Sequence, residues 1–315
     1  TLFSLEDIFS LPPIQPLFDY NNSTIHFCKN DISIDLLLFV ISKSANFKVR
    51  NTIRRTWGNT NVLYKYSKLN VKLLFLVDID EIRLLKVKLE NQLFNDIVQV
   101  HLPEYYELVT YRDAAIFDYS ARYCSQARYV FKTDDDVFIN SLLLTKFVSQ
   151  LNRTTKESMV LKCSNDLFTN EPLIMYGHPI RNSIVVRHTN HPVYKRYVVT
   201  PNEYECYRYS TFLSGFGYLI SANIRSLLLC TYYRDPKPFH LSDVYFTAIL
   251  AEYLNIKREQ MATYNYRIDK GCKRFLSKRN SLACGVESHF HSDNNELIND
   301  YNLYWTKIIK NNQLL

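Results

Sequence analysis

Two hydrophobic periods alternate along this chain. Short apolar runs rich in β-branched and aromatic residues recur as "IDLLLFVISK" (34–43), "VKLLFLVDID" (71–80), "DIVQVHL" (96–102), "ARYVFKT" (127–133) and "SMVLKCS" (158–164). Runs of about five to eight residues with this composition read as buried strands. Between them the spacing changes. In "ELVTYRDAAIFDYSARYC", Leu108, Tyr111, Ala115, Tyr119 and Tyr123 recur every three or four residues, and "SLLLTKFVSQLN" (141–152) repeats the pattern, as amphipathic helices do. Strand and helix in alternation imply an α/β domain built on a mostly parallel sheet. With 315 residues, 47% of them apolar, the chain can bury a large core. The simplest division is one domain over 31–310, preceded by a stem-like arm over 1–30 whose "SLEDIFSLPPIQP" is punctuated by proline.

Within that frame one segment is out of keeping. "YVFKTDDDVFIN" (129–140) sets Asp134, Asp135 and Asp136 between apolar residues, at the carboxyl end of an expected central strand. Ligands of open α/β sheets bind at those ends. Three carboxylates there repel one another, and a hard divalent cation would relieve them, with water and substrate phosphates completing its shell. Asp134 and Asp136 are two apart, so in an extended backbone both project to one side.

Composition excludes some partners. The net charge of +7 suits an anionic ligand, but the Lys and Arg are scattered rather than gathered into a stripe, which argues against nucleic acid. The seven Cys form no C-x-x-C pair, arguing against a zinc ribbon or thioredoxin-type site, and their odd number leaves a thiol free or paired between chains. Sequons begin at Asn21, Asn22 and Asn152. No run of 18 apolar residues spans a bilayer, so membrane attachment would have to come from an N-terminal anchor outside this sequence.

"VFKTDDDVFIN" resembles the K-T-D-D-D-V-F-V-N segment of the β-1,3-galactosyltransferase and β-1,3-N-acetylglucosaminyltransferase family, glycosyltransferase family 31. Further blocks match in order: "RNTIRRTWG" (50–58), "FLVD" (75–78), "ENQLFNDIVQ" with "YYELV", "FLSGFGYLIS" (212–221), "SDVYFTAIL" (242–250) and "HFHSDNNELINDYNLYW" (289–305). The resemblance implies a GT-A-type nucleotide-diphospho-sugar transferase fold. It also implies an inverting hexosyltransferase of the Golgi lumen, a type II membrane glycoprotein. Such an enzyme moves a hexose or N-acetylhexosamine from a UDP-sugar to the 3-hydroxyl of an acceptor glycan on glycoprotein or glycolipid, with Mn2+ (or Mg2+).

Carried onto this sequence, the D-x-D triplet gives Asp136 as the direct metal ligand, Asp134 toward the ribose and sugar as well as on the metal, and Asp135 between them, on the donor. His289 matches the family's carboxyl-terminal His near the metal or diphosphate. Arg50 and Arg54, four apart on a helical face, would add positive charge for the donor phosphates. Gly215 and Gly217, two of only six glycines, would form the wall against which sugar packs, with Tyr218 as a stacking surface. Asp243 matches the catalytic base, with Ser242 expected as a helix N-cap before it. Glu203 and Glu205 are the next acids in line for that role.

Several positions depart from the family pattern. Ser242 replaces an acid, Thr247 a small residue, Asp78 the Gly of F-L-L-G, and Val100-His101 the usual D-F; Tyr111 replaces a Lys, with Arg112 adjacent as a substitute phosphate contact. A catalytically silent homologue acting as a carbohydrate-binding or assembly partner is the alternative reading.

Overall fold

The computed structural model describes residues 18–21, 27–29, 31, 33–102, 104–151, 173–261, 266–268, 283–285 and 294–312. Four expected strands form close to their expected bounds: β1 (Ile34–Ile41), β2 (Val71–Asp78), β3 (Ile97–Val100) and β4 (Ala127–Asp134). The run at 158–164 lies outside the described residues. Between the strands lie α1 (Phe47–Arg55), α2 (Thr60–Ser67), α3 (Leu84–Phe94) and α4 (Val109–Tyr123). After β4 come β5 (Val137–Ile139) and α5 (Ser141–Gln150), which Asn140 caps by accepting from the Leu143 N–H. The chain continues through β6 (Ile174–Gly177), β7 (Pro179–Ile180), β8 (Phe212–Leu213), β9 (Tyr218–Ser221) and α6 (Ala222–Tyr232). Helical turns over Ser242–Val244, Tyr245–Ile249 (a π turn) and Leu250–Tyr253 form one segment, α7. Strands β10 (Lys257–Gln260), β11 (Tyr266–Ile268) and β12 (Ala283–Gly285) precede α8 (Asn294–Asn311).

The main sheet has the order β10-β6-β9-β4-β1-β2-β3. Its β4-β1-β2-β3 half is parallel, while β9 runs antiparallel to β4 and to β6. The sheet is therefore mixed and mostly parallel, flanked by helices, as the GT-A expectation requires. The apolar runs are continuous because both faces are covered. Along β1, Leu37 and Phe39 enter one core cluster while Leu36, Leu38 and Val40 enter the other, all fully buried. Strand alternation sends neighbouring side chains to opposite faces.

Two features at the chain ends tie down the site. The expected arm over 1–30 gives way in part to a packed segment: Phe18, Tyr20 and Cys28 are buried. Tyr20 bridges Val100, its hydroxyl donates to the Ala115 carbonyl and to Asp118, and Cys28 is disulfide-bonded to Cys124. Phe18, Tyr20 and Cys28 are thus packed against the domain rather than standing clear of it; the proline-rich stretch at 4–16 lies outside the described residues. At the other end α8 buries Leu297, Tyr301, Tyr304, Trp305 and Ile308. Tyr301 packs edge-on against Trp57, and its hydroxyl donates to the Asp135 carbonyl at 2.7 Å. Among the described residues no helix is long and apolar enough to cross a membrane.

Candidate active site

Strand β4 carries Lys132 and Asp134 two residues apart, hence on one side of the sheet. Lys132 is 2% exposed, and its ammonium lies 3.2 Å from Asp134 and 3.4 Å from Asp113 on α4. It also donates to the Gly215 carbonyl at 3.3 Å. Asp113 is fully buried and accepts from the Tyr218 hydroxyl at 2.8 Å. Burial alone would push the Lys132 ammonium down, but the carboxylates of Asp113, Asp134 and Asp243 more than reverse it and hold its pKa above the ordinary value. One cation thus answers three carboxylates, two of them from the expected site.

Asp243 enters this cluster from α7. Its Oδ1 accepts from the Val244 N–H at 2.9 Å, and the Gly215 N–H and the Lys132 charge favour its ionised form. Burial outweighs these and raises its pKa, with the Asp113 charge adding to the rise. Desolvation, not the neutral Ser242 beside it, sets that direction. Ser242 is not the cap either. The helical turn begins on it, Leu241 is the capping position, and no side chain bonds there. Thr247 replaces a small residue for a visible reason: its buried hydroxyl accepts from the Leu213 N–H at 2.7 Å and donates to the Asp243 carbonyl, clamping α7 to β8.

The triplet divides by side. Asp135 points away from Lys132, accepting from Ser42 Oγ at 2.6 Å and from Asn46 Nδ2 at 2.9 Å. Burial, aided by the Asp136 charge, still pushes it up to about 6. Asp134 keeps a third of its side chain exposed and is pushed up to about 6 by desolvation, with Lys132 opposing and Asp136 and Asp113 adding to the rise. Burial is the larger cause at both carboxylates, and the neighbouring Asp136 charge adds to it. Asp134 and Asp136 supply hard oxygen donors, and one or two such protein ligands are usual for Mg2+ or Mn2+. Such oxygens are chemically suited to a divalent ion, which Asp136 and Asp134 would hold. Among the described residues no group of three or more His, Cys, Asp or Glu is arranged to hold a metal, and His289 lies outside them.

The two glycines differ in what surrounds them. A Cβ on Gly217 would stand 2.5 Å from the Phe131 ring, at a φ of +157°, so only glycine lets β9 close onto β4 there. A Cβ on Gly215 would sit 3.4 Å from Asp243 Oδ2. Gly215 thus leaves room beside the candidate base, whereas Gly217 serves packing beneath it. Tyr218 is no stacking surface: it is fully buried and bonded to Asp113.

Arg50 and Arg54 occupy a different place from the one expected. Every N–H of Arg50 is engaged, by Glu90, Ser42 Oγ and the carbonyls of Lys43 and Ser44. Arg54 pairs with Glu90 and Asp96 and lies over the Phe94 ring at 4.0 Å. Neither guanidinium is presented to a phosphate. Arg50 instead acts on the triplet from behind, through Ser42 to Asp135. Arg112 is likewise engaged, by Asp78 at 2.7 Å and the Tyr105 carbonyl at 2.6 Å. Of the reserve acids, exposed Glu203 accepts from the Thr200 N–H and hydroxyl, and Glu205 is exposed. Lys132 and Asp113 are the site residues the sequence reading passed over. The one available signal was a lysine inside an apolar strand.

With this geometry in view, comparison with known proteins is decisive. The galactosyltransferase family model matches residues 48–262, more than half the chain, a span that includes Arg50, Lys132, the acidic triplet, Gly215 and Asp243. The chain belongs to the galactosyltransferase family. It is 27% identical over 258 residues to mouse (Mus musculus) beta-1,3-galactosyltransferase 1, covering 81% of this chain and 71% of that enzyme. It is 29% identical over 226 residues to chimpanzee (Pan troglodytes) beta-1,3-galactosyltransferase 5, covering 72% of this chain and 68% of the relative. Among solved structures, a glycosyltransferase involved in glycosylation of the major capsid of PBCV-1 aligns over 85% of this chain and 99% of its own, at 10% identity and a TM-score of 0.40. The family makes this galactosyltransferase homologue a glycosyltransferase, and so a hexosyltransferase with a nucleotide-sugar donor and a glycan acceptor.

Proposed function

We propose that the protein is an inverting β-1,3-glycosyltransferase that takes a hexose or N-acetylhexosamine from a UDP-sugar and joins it to the 3-hydroxyl of a glycan on glycoprotein or glycolipid. It would work in the Golgi lumen, held by an anchor upstream of this sequence. The observation that carries the reading is the convergence of Asp134 and Asp243 on the one buried ammonium of Lys132, which brings a donor-side carboxylate and a base candidate into a single electrostatic unit.

In this reading Asp243 accepts the proton of the acceptor hydroxyl as that oxygen attacks the anomeric carbon and the bond to UDP breaks. Gly215 leaves space for the acceptor beside the carboxylate, and the Gly215 and Val244 N–H groups fix its orientation. Asp136 and Asp134 would hold Mn2+ (or Mg2+), which supplies Lewis-acid neutralisation of the leaving diphosphate. Lys132 keeps Asp134 and Asp243 in place without competing for the donor, being closed off from solvent.

The test is UDP release from a panel of UDP-hexoses and UDP-N-acetylhexosamines with Mn2+ and β-linked acceptors. Turnover with a product hydrolysed only by a β-1,3-specific glycosidase is expected. UDP binding without turnover across the panel would instead identify a silent homologue.

A further inference from the structure

Helix α3 is built inside out. Its inward side carries Val87 with two polar residues, Glu90 and Asn91, and Glu90 serves the buried arginines of α1. Its outward side is aliphatic. Leu85, Leu89 and Leu93 follow at intervals of four and are 68%, 51% and 76% exposed, and Ile82 in the preceding turn is 88% exposed. Side chains four apart lie along one side of a helix, so these form a continuous ridge rather than scattered surface leucines. Lys86 lies three residues from Leu89, and Lys88 three from Leu85, bordering the ridge on opposite sides. Both are exposed, and neither forms an ion pair among the described residues.

Charge selects the occupant. Two copies of the chain docked ridge to ridge would oppose lysine to lysine at both borders, in either relative direction, as like charges at the flanks of a helical seam do. The partner must be apolar at its centre and negative at its rim. A protein partner would also need a groove shaped to a convex helix, whereas a bilayer interface receives such a ridge as it stands, with lysine stems extending along it and their heads among the phosphates.

We infer that α3 is a membrane-surface element, which inserts Ile82, Leu85, Leu89 and Leu93 into the interface of an anionic lipid layer and sets Lys86 and Lys88 against the headgroups. The inference is independent of the transferase reading. It concerns lying on a membrane, not crossing one.

The experiment is co-sedimentation of the full chain with phosphatidylcholine vesicles, with and without phosphatidylserine. The parent should bind the phosphatidylserine vesicles and bind the neutral ones more weakly. Leu85→Gln/Leu89→Gln/Leu93→Gln keeps the net charge of +7 and the helix propensity, so it should unfold at the parent's temperature while binding at least about tenfold more weakly. Lys86→Gln/Lys88→Gln should lose roughly fivefold per lysine. Three results would overturn the inference. The triple variant could bind like the parent, making attraction a matter of overall charge. The parent could fail to bind vesicles. Or it could self-associate through the ridge, with the triple variant restoring a monomer and neither binding lipid.

Discussion

Two buried charge clusters flank the acidic triplet, and they are built on opposite principles. Behind Asp135, Arg50 and Arg54 meet Glu90 and Asp96, two cations against two anions, at 2.6 to 2.8 Å. In front, one cation, Lys132, meets Asp113, Asp134 and Asp243. The first cluster is neutral, its two cations balanced by its two anions. The second is negative by two charges. Burying charge without compensation is costly, and such a deficit persists where a ligand or a reaction uses it. The arginines looked the more functional of the two by residue type; their balance makes them structural. Each cluster can be broken separately.

The largest effect is expected where the deficit faces the donor. Asp136→Ala should abolish divalent-ion-dependent turnover while leaving the unfolding temperature near the parent's. Near-normal activity with Mn2+ would remove the triplet from the chemistry. Asp243→Asn comes next. It keeps size and the bond from the Val244 N–H, so UDP binding and folding should survive, with kcat lowered by about 10²- to 10⁴-fold. Because burial raises the Asp243 pKa, the base is protonated at a pH where an ordinary carboxylate is not. Turnover by the parent should therefore fall on the acid side at a pH above the usual carboxylate range. An acid limb lying within that range would mean that Asp243 is better solvated than its surroundings indicate.

How much of this was legible in sequence follows from the kind of contact involved. The strands were legible because β1, β2 and β4 are buried on both faces, and continuous apolar runs report that directly. The triplet was legible because three charges in an apolar context have few explanations. The Lys132 cluster was not, since Asp113 reads as a polar position on the amphipathic helix α4, and its meeting with Asp243 is created by β9 and α7 about a hundred residues later. Nor was the arginine cluster: Glu90 and Asn91 point inward on a helix whose leucines point outward, the reverse of the rule by which helices are read. The N-terminal segment was misjudged at Phe18, Tyr20 and Cys28 because a disulfide partner cannot be chosen from spacing alone.

The balanced cluster should break through stability rather than activity. Arg50→Met leaves Glu90 with Arg54 alone and strips Ser42 of its donor. Removing one partner of a buried pair costs about 3 to 5 kcal/mol, and the surviving Arg54 bond puts the expected loss near the lower figure. Denaturant unfolding would measure it. Turnover per folded molecule should stay close to the parent's. A large kcat loss at unchanged stability would mean that Arg50 reaches the donor after all, by a rearrangement of its present bonds.

The smallest effect concerns two departures from the family pattern that meet in space. Asp78 stands where the family has glycine, and Arg112 adjoins the position where it has lysine; the two pair at 2.7 Å, both buried. A carboxylate on β2 has been answered by a guanidinium on α4. Their coupling in a double-mutant cycle of Asp78→Asn and Arg112→Gln should be about 1 to 2 kcal/mol, smaller than the loss at Arg50 because one pair rather than a network is cut. The sign of its pH dependence separates pairing from mere packing. Burial already raises the Asp78 pKa, with Arg112 holding it down. Without Arg112 the folded-state pKa rises further above the unfolded value, so the folded protein binds an extra proton across that gap. Stability of Arg112→Gln should therefore decline as pH rises from the ordinary carboxylate range through the raised pKa, and Asp78→Asn in the same background should cancel the decline. A pH-independent Arg112→Gln would mean that its bond to the Tyr105 carbonyl, not the ion pair, is what the residue contributes.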